Sequence, residues 1–249
     1  MVGAPAAADA VARAHRLPAL RVGLHLVLVD GVPVLPAEDV SDLLREDGRF
    51  DPNMARAGLR FFALPRVRRQ LAAEIRAQFE AFRATGLALD HVNGHKHFQL
   101  HPTVARLTLE IGREFGVAAM RLPAEPVAAL RRAFPGERYR RPLYGPAISA
   151  LRYRLTRNEI FHADRIFGIA WSGRMVAERL LALLPHVPEG LSEIYFHPAV
   201  ERSASLVAAM PDYRHPEELA ALTSPAVKAR IGELGLRLTS YGEIAAAAR

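Results

Sequence analysis

A histidine-rich stretch, residues 90–102, is the feature that most constrains this chain. Four of the ten histidines lie in it: His91, His95, His97 and His101. Successive side chains of a strand alternate between its faces, so His91, His95 and His97 are expected to point the same way as Asn93. Apolar residues precede the stretch, and Pro102 suits the first turn of a helix. We therefore predict a strand whose exit carries imidazoles, the commonest protein metal ligands. A polar loop and a hydrogen-bonded core cluster are the ordinary alternatives.

The order of apolar and amphipathic segments decides between these alternatives. Strands are predicted at residues 20–28, 87–97, 118–122, 164–170, 191–196 and 236–238, and helices at 6–14, 67–85, 102–115, 175–184, 225–234 and 241–248. Alternating strands and helices indicate an α/β fold with a parallel sheet, most simply a barrel. His25, the His95/His97 pair and His197 all fall at strand exits, where barrel enzymes place their chemistry. This coincidence favours one common site.

Length and composition bound the remaining possibilities. The 249 residues are half hydrophobic and are predicted to form a single domain, residues 1–249. The chain contains no cysteine, which excludes disulfides, zinc–thiolate sites and a cysteine nucleophile. We find no signal peptide and no run of about 18 uncharged apolar residues. The expected location is the cytoplasm.

The formal charge is +7, and most of the excess is scattered over predicted helix faces, but one arginine-rich region is denser. It contains eight arginines interleaved with Tyr139, Tyr144 and Tyr153: Arg131, Arg132, Arg138, Arg140, Arg141, Arg152, Arg154 and Arg157. Such a region suits a solvated surface, an anionic membrane surface, an acidic partner or nucleic acid. Because no nucleic-acid-binding signature accompanies it, we expect no nucleic-acid partner. Peripheral contact with the inner face of the membrane stays open.

Three segments in this order resemble the YdjC-like carbohydrate deacetylases. They are Gly23-Leu24-His25-Leu26, His91-Val92-Asn93-Gly94-His95-Lys96-His97 and Glu193-Ile194-Tyr195-Phe196-His197-Pro198. The similarity covers essentially the whole chain. Arg121-Leu122-Pro123, residues 164–173 and residues 196–199 are most similar to the branch associated with hopanoid biosynthesis.

The resemblance implies a deformed (β/α) TIM-like barrel of the polysaccharide-deacetylase type. It implies metal-dependent hydrolytic N-deacetylation of an N-acetylglucosamine-bearing substrate with one divalent ion, Mg²⁺ or Zn²⁺. A hopanoid glycolipid is the first expectation for the substrate, and a chito-oligosaccharide is the alternative. By the same resemblance His25 and His95 hold the metal, and His197 is the general acid. Substrate-binding or supporting roles fall to the following residues: Asn93, His97, Arg121 and Glu193.

The chain also departs from the family pattern. The family carries an Asp-Asp pair at the exit of its first strand, and no such segment is present here. Asn93 stands where the family usually has aspartate. We therefore expect that the first βα unit is missing, either because the recorded start is too late or because the chain is a non-catalytic remnant that binds a sugar or a partner. The strand edges of an incomplete barrel predict pairing with another chain, such as a homodimer.

Overall fold

The computed structural model of the chain describes residues 1–139 and 144–247. These residues form an α/β fold with four short β-strands and eleven α-helices. The strands are β1 Val22–Leu26, β2 Leu89–Gly94, β3 Arg165–Phe167 and β4 Ser192–Ile194. The helices are α1 Ala7–His15, α2 Met54–Ala63, α3 Pro65–Ala84, α4 Pro102–Gly112, α5 Val127–Ala133, α6 Gly145–Arg157, α7 Ala177–Leu183, α8 Ala204–Ala209, α9 His215–Thr223, α10 Pro225–Glu233 and α11 Tyr241–Ala247.

The chain divides into two compact units. The first comprises Met1–Arg121, Tyr144–His162 and Ser240–Arg249. In it β1 and β2 pair in parallel, with His25 opposite Asn93. Isolated parallel bridges, Val92 with Met120 and Ala119 with Phe161, continue the pairing beyond β2. The crossover between β1 and β2 contains α2 and α3, as a parallel connection requires.

Helix α3 shows how the sequence builds this unit. Pro65 occupies its first turn, and Leu71, Ile75 and Phe79 recur at helical spacing on its buried face. Gly86, just beyond the helix, has φ +72°, a conformation that glycine adopts without steric cost. The helix predicted over residues 67–85 is therefore confirmed.

Two polar side chains on the buried face of α3 hold the loop that leaves β1. The carboxylate of Glu74 accepts the N–H groups of Val34 at 2.9 Å and Leu35 at 3.1 Å. Gln78 accepts from the N–H of Val27 at 2.9 Å and donates to its carbonyl at 2.7 Å. Both side chains are buried, and these bonds satisfy their polar groups.

The second unit comprises Leu122–Leu143 and Ala163–Thr239. In it β3 and β4 pair in parallel, with Ile166 opposite Glu193. The core of this unit contains apolar side chains from α5, β3, the loop after β3 and α7: Ala129, Leu130, Phe167, Trp171, Met175 and Leu183. A second cluster joins α7 and α10 through Leu180 and Val227.

The architecture confirms the α/β class and the parallel pairing, while the barrel itself stays a prediction. Residues 1–139 and 144–247 contain two two-stranded parallel sheets and the isolated bridges, without a closed barrel. The single domain over residues 1–249 likewise stays a prediction. The strand predicted at residues 236–238 is wrong, because these residues pair with no strand in the described part of the chain and Leu238 is 77% exposed. No helix of the described ranges is long and apolar enough to cross a membrane.

Candidate functional site

The candidate site of the first unit begins where β1 meets β2. Because His25 lies opposite Asn93 in the parallel register, their side chains meet at the carboxyl end of the strand pair. One terminal atom of the Asn93 amide lies 2.5 Å from Nδ1 of His25. His95 follows β2 directly, and its Nδ1 lies 3.4 Å from Nε2 of His25. The two rings meet nearly edge to face, with centroids 5.6 Å apart.

Both imidazoles are neutral at physiological pH. Burial lowers the pKa of His25 to about 3, and the guanidinium of Arg121 acts in the same direction. Burial also lowers the pKa of His95, and the ammonium of Lys96 adds to the effect. The carboxylate of Asp30 counteracts this lowering, but it is itself paired with Lys96 at 2.7 Å. Neutral imidazole is the form that binds metals.

The spacing of the two histidine nitrogens suits a divalent ion. Two nitrogens about 2.1 Å from a tetrahedral ion lie about 3.4 Å apart, which matches the separation of His25 Nε2 and His95 Nδ1. No group of three His, Cys, Asp or Glu side chains that could hold a metal occurs within residues 1–139 and 144–247. The histidine pair therefore fits two positions of a metal site, and this part of the chain supplies no third.

Asn93 joins the histidine pair to Arg121. While one terminal atom of its amide faces His25, the other lies 3.3 Å from both terminal nitrogens of Arg121. The backbone of Arg121 is fixed beside β2, since its N–H donates to Val92 at 3.0 Å and its carbonyl accepts from Gln99 at 3.3 Å. The structure thus brings together four of the predicted site residues: His25, Asn93, His95 and Arg121.

His97 does not share a strand face with His95, so the prediction of one row of imidazoles is wrong. The strand ends at Gly94, and His95–Leu100 form 3₁₀ turns in which Lys96 and His97 have positive φ of 52° and 56°. The chain folds back so tightly that a Cβ on Gly94 would lie 2.6 Å from Oε1 of Gln99. Strand alternation therefore stops before the His-x-His pair.

His91 is occupied elsewhere in the first unit. Its Nδ1 lies 2.9 Å from the carboxylate of Asp90, and its ring packs on Tyr241 at a centroid distance of 4.7 Å. Asp90 also accepts the N–H of Gly242 at 2.8 Å. These contacts tie β2 to α11, so His91 has a structural role here.

His197 belongs to the second unit, where helix α9 fixes its backbone. Its N–H donates to the buried carboxylate of Glu218, and its carbonyl accepts from Nδ1 of His215 at 2.6 Å. The ring is one-third exposed and makes edge contacts with Tyr195 and Tyr213 at centroid distances of 5.4 and 5.0 Å. Oε2 of Glu218 lies 4.0 Å from Nδ1 of His197.

Glu218 and His215 are residues that sequence reasoning missed. Glu218 also accepts the N–H of Met175 at 2.9 Å, so one carboxylate joins α9 to two loops of this unit. The only available signal was a pair of acidic residues in a weakly amphipathic segment, which normally indicates a solvated helix face. Glu193, the other predicted residue of this unit, is the central residue of β4.

The arginine-rich region is divided between the two units. Arg131, Arg132 and Arg138 belong to the second unit, and Arg152, Arg154 and Arg157 to the first. Arg140 and Arg141 lie outside the described residues. Tyr144 and Tyr153 are 60% and 62% exposed. A single basic surface stays a prediction.

Partly buried histidines at the carboxyl end of a parallel strand pair lie where α/β enzymes commonly place their active sites. The model of the YdjC-like protein family matches residues 1–233, so this chain belongs to that family. A carbohydrate deacetylase of Geobacillus stearothermophilus is 29% identical over 98% of this chain and 84% of its own length. A carbohydrate deacetylase of Mus musculus is 30% identical over 94% of this chain and 80% of its own length.

A solved structure supports the same fold. The crystal structure of a "putative cellobiose-phosphate cleavage protein" from Enterococcus faecalis V583 matches with a TM-score of 0.72 and 22% identity. The match covers 98% of this chain and 85% of the other.

Proposed function

We propose that this chain is a carbohydrate deacetylase, a hydrolase that removes acetyl groups from an N-acetylated amino sugar. Membership of the YdjC-like family and the two curated carbohydrate deacetylases support this activity. The observation that carries the finer proposal is the partly buried pair of neutral imidazoles, His25 and His95, with nitrogens 3.4 Å apart. The branch associated with hopanoid biosynthesis and the deformed barrel remain part of the proposal.

We further propose that the reaction depends on one divalent ion, Mg²⁺ or Zn²⁺, held by His25 and His95. When bound, such an ion polarises an amide carbonyl and lowers the pKa of a coordinated water. The amide of Asn93 contacts Nδ1 of His25 at 2.5 Å and lies between that ring and the guanidinium of Arg121, so both residues act on the orientation and tautomer of His25.

His197 is the proposed proton donor. Amide hydrolysis breaks the C–N bond and releases acetate and an amine, and the amine leaves well only when it is protonated. The contacts of Glu218 with the N–H and of His215 with the carbonyl fix the peptide groups on both sides of His197, so the imidazole is presented from a rigid backbone. His97 and Glu193 are proposed to bind substrate hydroxyls or to support neighbouring residues.

For the substrate we propose an N-acetylglucosamine-bearing molecule, first a hopanoid glycolipid and second a chito-oligosaccharide. The exposed Tyr144 and Tyr153 beside the arginines of α6 support the lipid, because aromatic and basic side chains favour the membrane interface. Peripheral membrane contact, cytoplasmic location and a homodimer stay predictions.

The test is an acetate-release assay of the purified protein on both substrates, with added Mg²⁺ or Zn²⁺ and with a chelator. We expect turnover that the chelator abolishes and the metal restores. Turnover that survives complete chelation would contradict the metal dependence, and release from the oligosaccharide alone would contradict the lipid substrate. The His197→Gln variant should retain metal binding and lose turnover.

A second candidate is a sugar-binding protein without turnover. It is favoured by the lack of a third metal-binding side chain among residues 1–139 and 144–247. This candidate predicts saturable binding of the oligosaccharide with no acetate released under any metal condition. The same assay, paired with a calorimetric binding measurement, distinguishes the two functions.

A further inference from the structure

The side-chain amide of Asn93 contacts two groups, one of which needs a hydrogen-bond acceptor and the other a donor. The terminal atom near Arg121 is 3.3 Å from two guanidinium nitrogens, and guanidinium groups only donate hydrogen bonds. The atom facing Arg121 is therefore the oxygen Oδ1. The atom 2.5 Å from His25 Nδ1 is then the amide nitrogen, which also only donates.

This orientation decides where His25 carries its proton. Because Nδ1 of His25 accepts from Asn93, the proton of the neutral ring lies on Nε2. Nε2 in turn faces Nδ1 of His95 at 3.4 Å and can donate to it. One chain of donors and acceptors thus runs from Arg121 through Asn93 and His25 to His95.

A metal ion needs the opposite arrangement at His25. The nitrogen that faces His95, Nε2, must carry a lone pair, so the proton must move to Nδ1. Nδ1–H requires an oxygen from Asn93, and the amide must rotate by about 180° to supply it. This rotation turns the amide N–H₂ group toward the guanidinium of Arg121. Both groups can only donate hydrogen bonds, so their contact is unfavourable in a partly buried site.

We propose that Arg121, acting through the Asn93 amide, holds metal-free His25 in the Nε2–H tautomer and thereby weakens metal binding by the His25–His95 pair. The inference rests on the metal site of the proposed function, and it makes Arg121 and Asn93 positioning residues. Backbone bonds to Val92 and Gln99 fix the main chain of Arg121 beside β2, and its guanidinium lies 3.3 Å from the amide. A cation must therefore displace a hydrogen-bonded state before it binds.

The test uses nitrogen NMR of the metal-free protein, since imidazole ¹⁵N shifts separate protonated from unprotonated ring nitrogens. We expect the Nε2–H tautomer of His25 in the natural protein. In Asn93→Asp the side chain can only accept, so His25 should change to Nδ1–H. In Arg121→Met the amide is released, and a mixture of the two tautomers is expected.

Metal affinity is the second readout. Calorimetric titration with Zn²⁺ alone should give a dissociation constant lower by about tenfold or more in Asn93→Asp and in Arg121→Met. Because both variants also make the site more negative, the tautomer of the metal-free protein decides the proposal. Asn158→Asp is the matched control, since Asn158 accepts from a different arginine, Arg113, in an exposed contact outside this group of residues. It should change neither readout.

An Nδ1–H tautomer in the natural protein, or an unchanged tautomer in both variants, would overturn the proposal. Arg121→Met tests it even if Asn93→Asp fails to fold, because it keeps the natural Asn93. Neither result depends on turnover. Loss of the proposed deacetylase activity would therefore appear separately, as the absence of acetate release by metal-loaded natural protein.

Discussion

Acid should destabilise the metal-free protein through His25. Its pKa is about 3 in the folded protein and 6.5 ordinarily, because burial penalises the imidazolium. The unfolded chain therefore binds a proton at a pH where the folded chain does not. The resulting stability is complete above pH 6.5 and declines as the pH falls toward 3.

The magnitude follows from the two pKa values. A pH of 4.5 is two units below the ordinary pKa of histidine and still above the pKa of His25 in the folded protein. Each unit corresponds to about 1.4 kcal/mol, so the loss attributable to His25 at this pH is about 2.7 kcal/mol. This is a substantial fraction of the stability of a typical domain.

The assay is urea unfolding of the natural protein and of His25→Gln, each at pH 7.5 and pH 4.5 in chelator. The natural protein should lose about 2.7 kcal/mol more than the variant between the two pH values. Taking the difference between the proteins removes the contributions of other titrating groups. A difference below about 0.5 kcal/mol would refute the reasoning, because His25 would then be protonated as easily in the folded as in the unfolded chain.

Three further substitutions follow from contacts described above. Glu218→Gln should lower kcat for acetate release about tenfold with little change in KM, because the carboxylate orients His197 rather than binding substrate. Gly173→Ala should lower the free energy of unfolding by about 2–4 kcal/mol, since φ is +73° and its Cβ would lie 2.2 Å from Tyr213. Glu74→Leu should cost about 2–3 kcal/mol in urea unfolding, because two loop N–H groups lose their acceptor.

Each substitution has a matched control in the same chain. Glu217→Gln changes the exposed neighbour of Glu218, and its kcat should match the natural protein. Gly48 has φ +74° with nothing within 4 Å, so Gly48→Ala should cost only about 1 kcal/mol. Glu80→Leu lies on the exposed side of α3 and should have little effect. If a control substitution had the same effect as its test substitution, the contact proposed to explain the test result would be contradicted.

The sequence predicted the regular elements well wherever apolar residues repeat at one period. Helix α3 is an example, because Leu71, Ile75 and Phe79 recur at helical spacing and so indicate its buried face. The two strands were also predictable, since β1 is almost continuously apolar and β2 opens the histidine-rich stretch. The sequence placed His25 and His95 at strand exits, but the register that sets His25 opposite Asn93 is known only from the structure.

The site could not be predicted where folded-state contacts override the local pattern. Strand alternation failed after Gly94, because the fold-back onto Gln99 depends on a contact five residues away. Helix α9 was missed since its buried residues include His215 and Glu218, which are polar and interrupt the apolar period. Tertiary hydrogen bonds make these two residues acceptable in a core, and no local signal reveals such bonds.

The backbone of the proposed proton donor, His197, stays fixed only while helix α9 remains packed in its unit. This helix has nine residues, too few for a stable isolated helix in water, so its helical state depends on packing within the second unit. The bonds that fix the two peptide groups flanking His197 both come from this helix. Any fluctuation that detaches α9 therefore releases both peptide groups together. The population of the competent donor is therefore set by the opening equilibrium of one short helix, which amide hydrogen exchange measures at the N–H of His197.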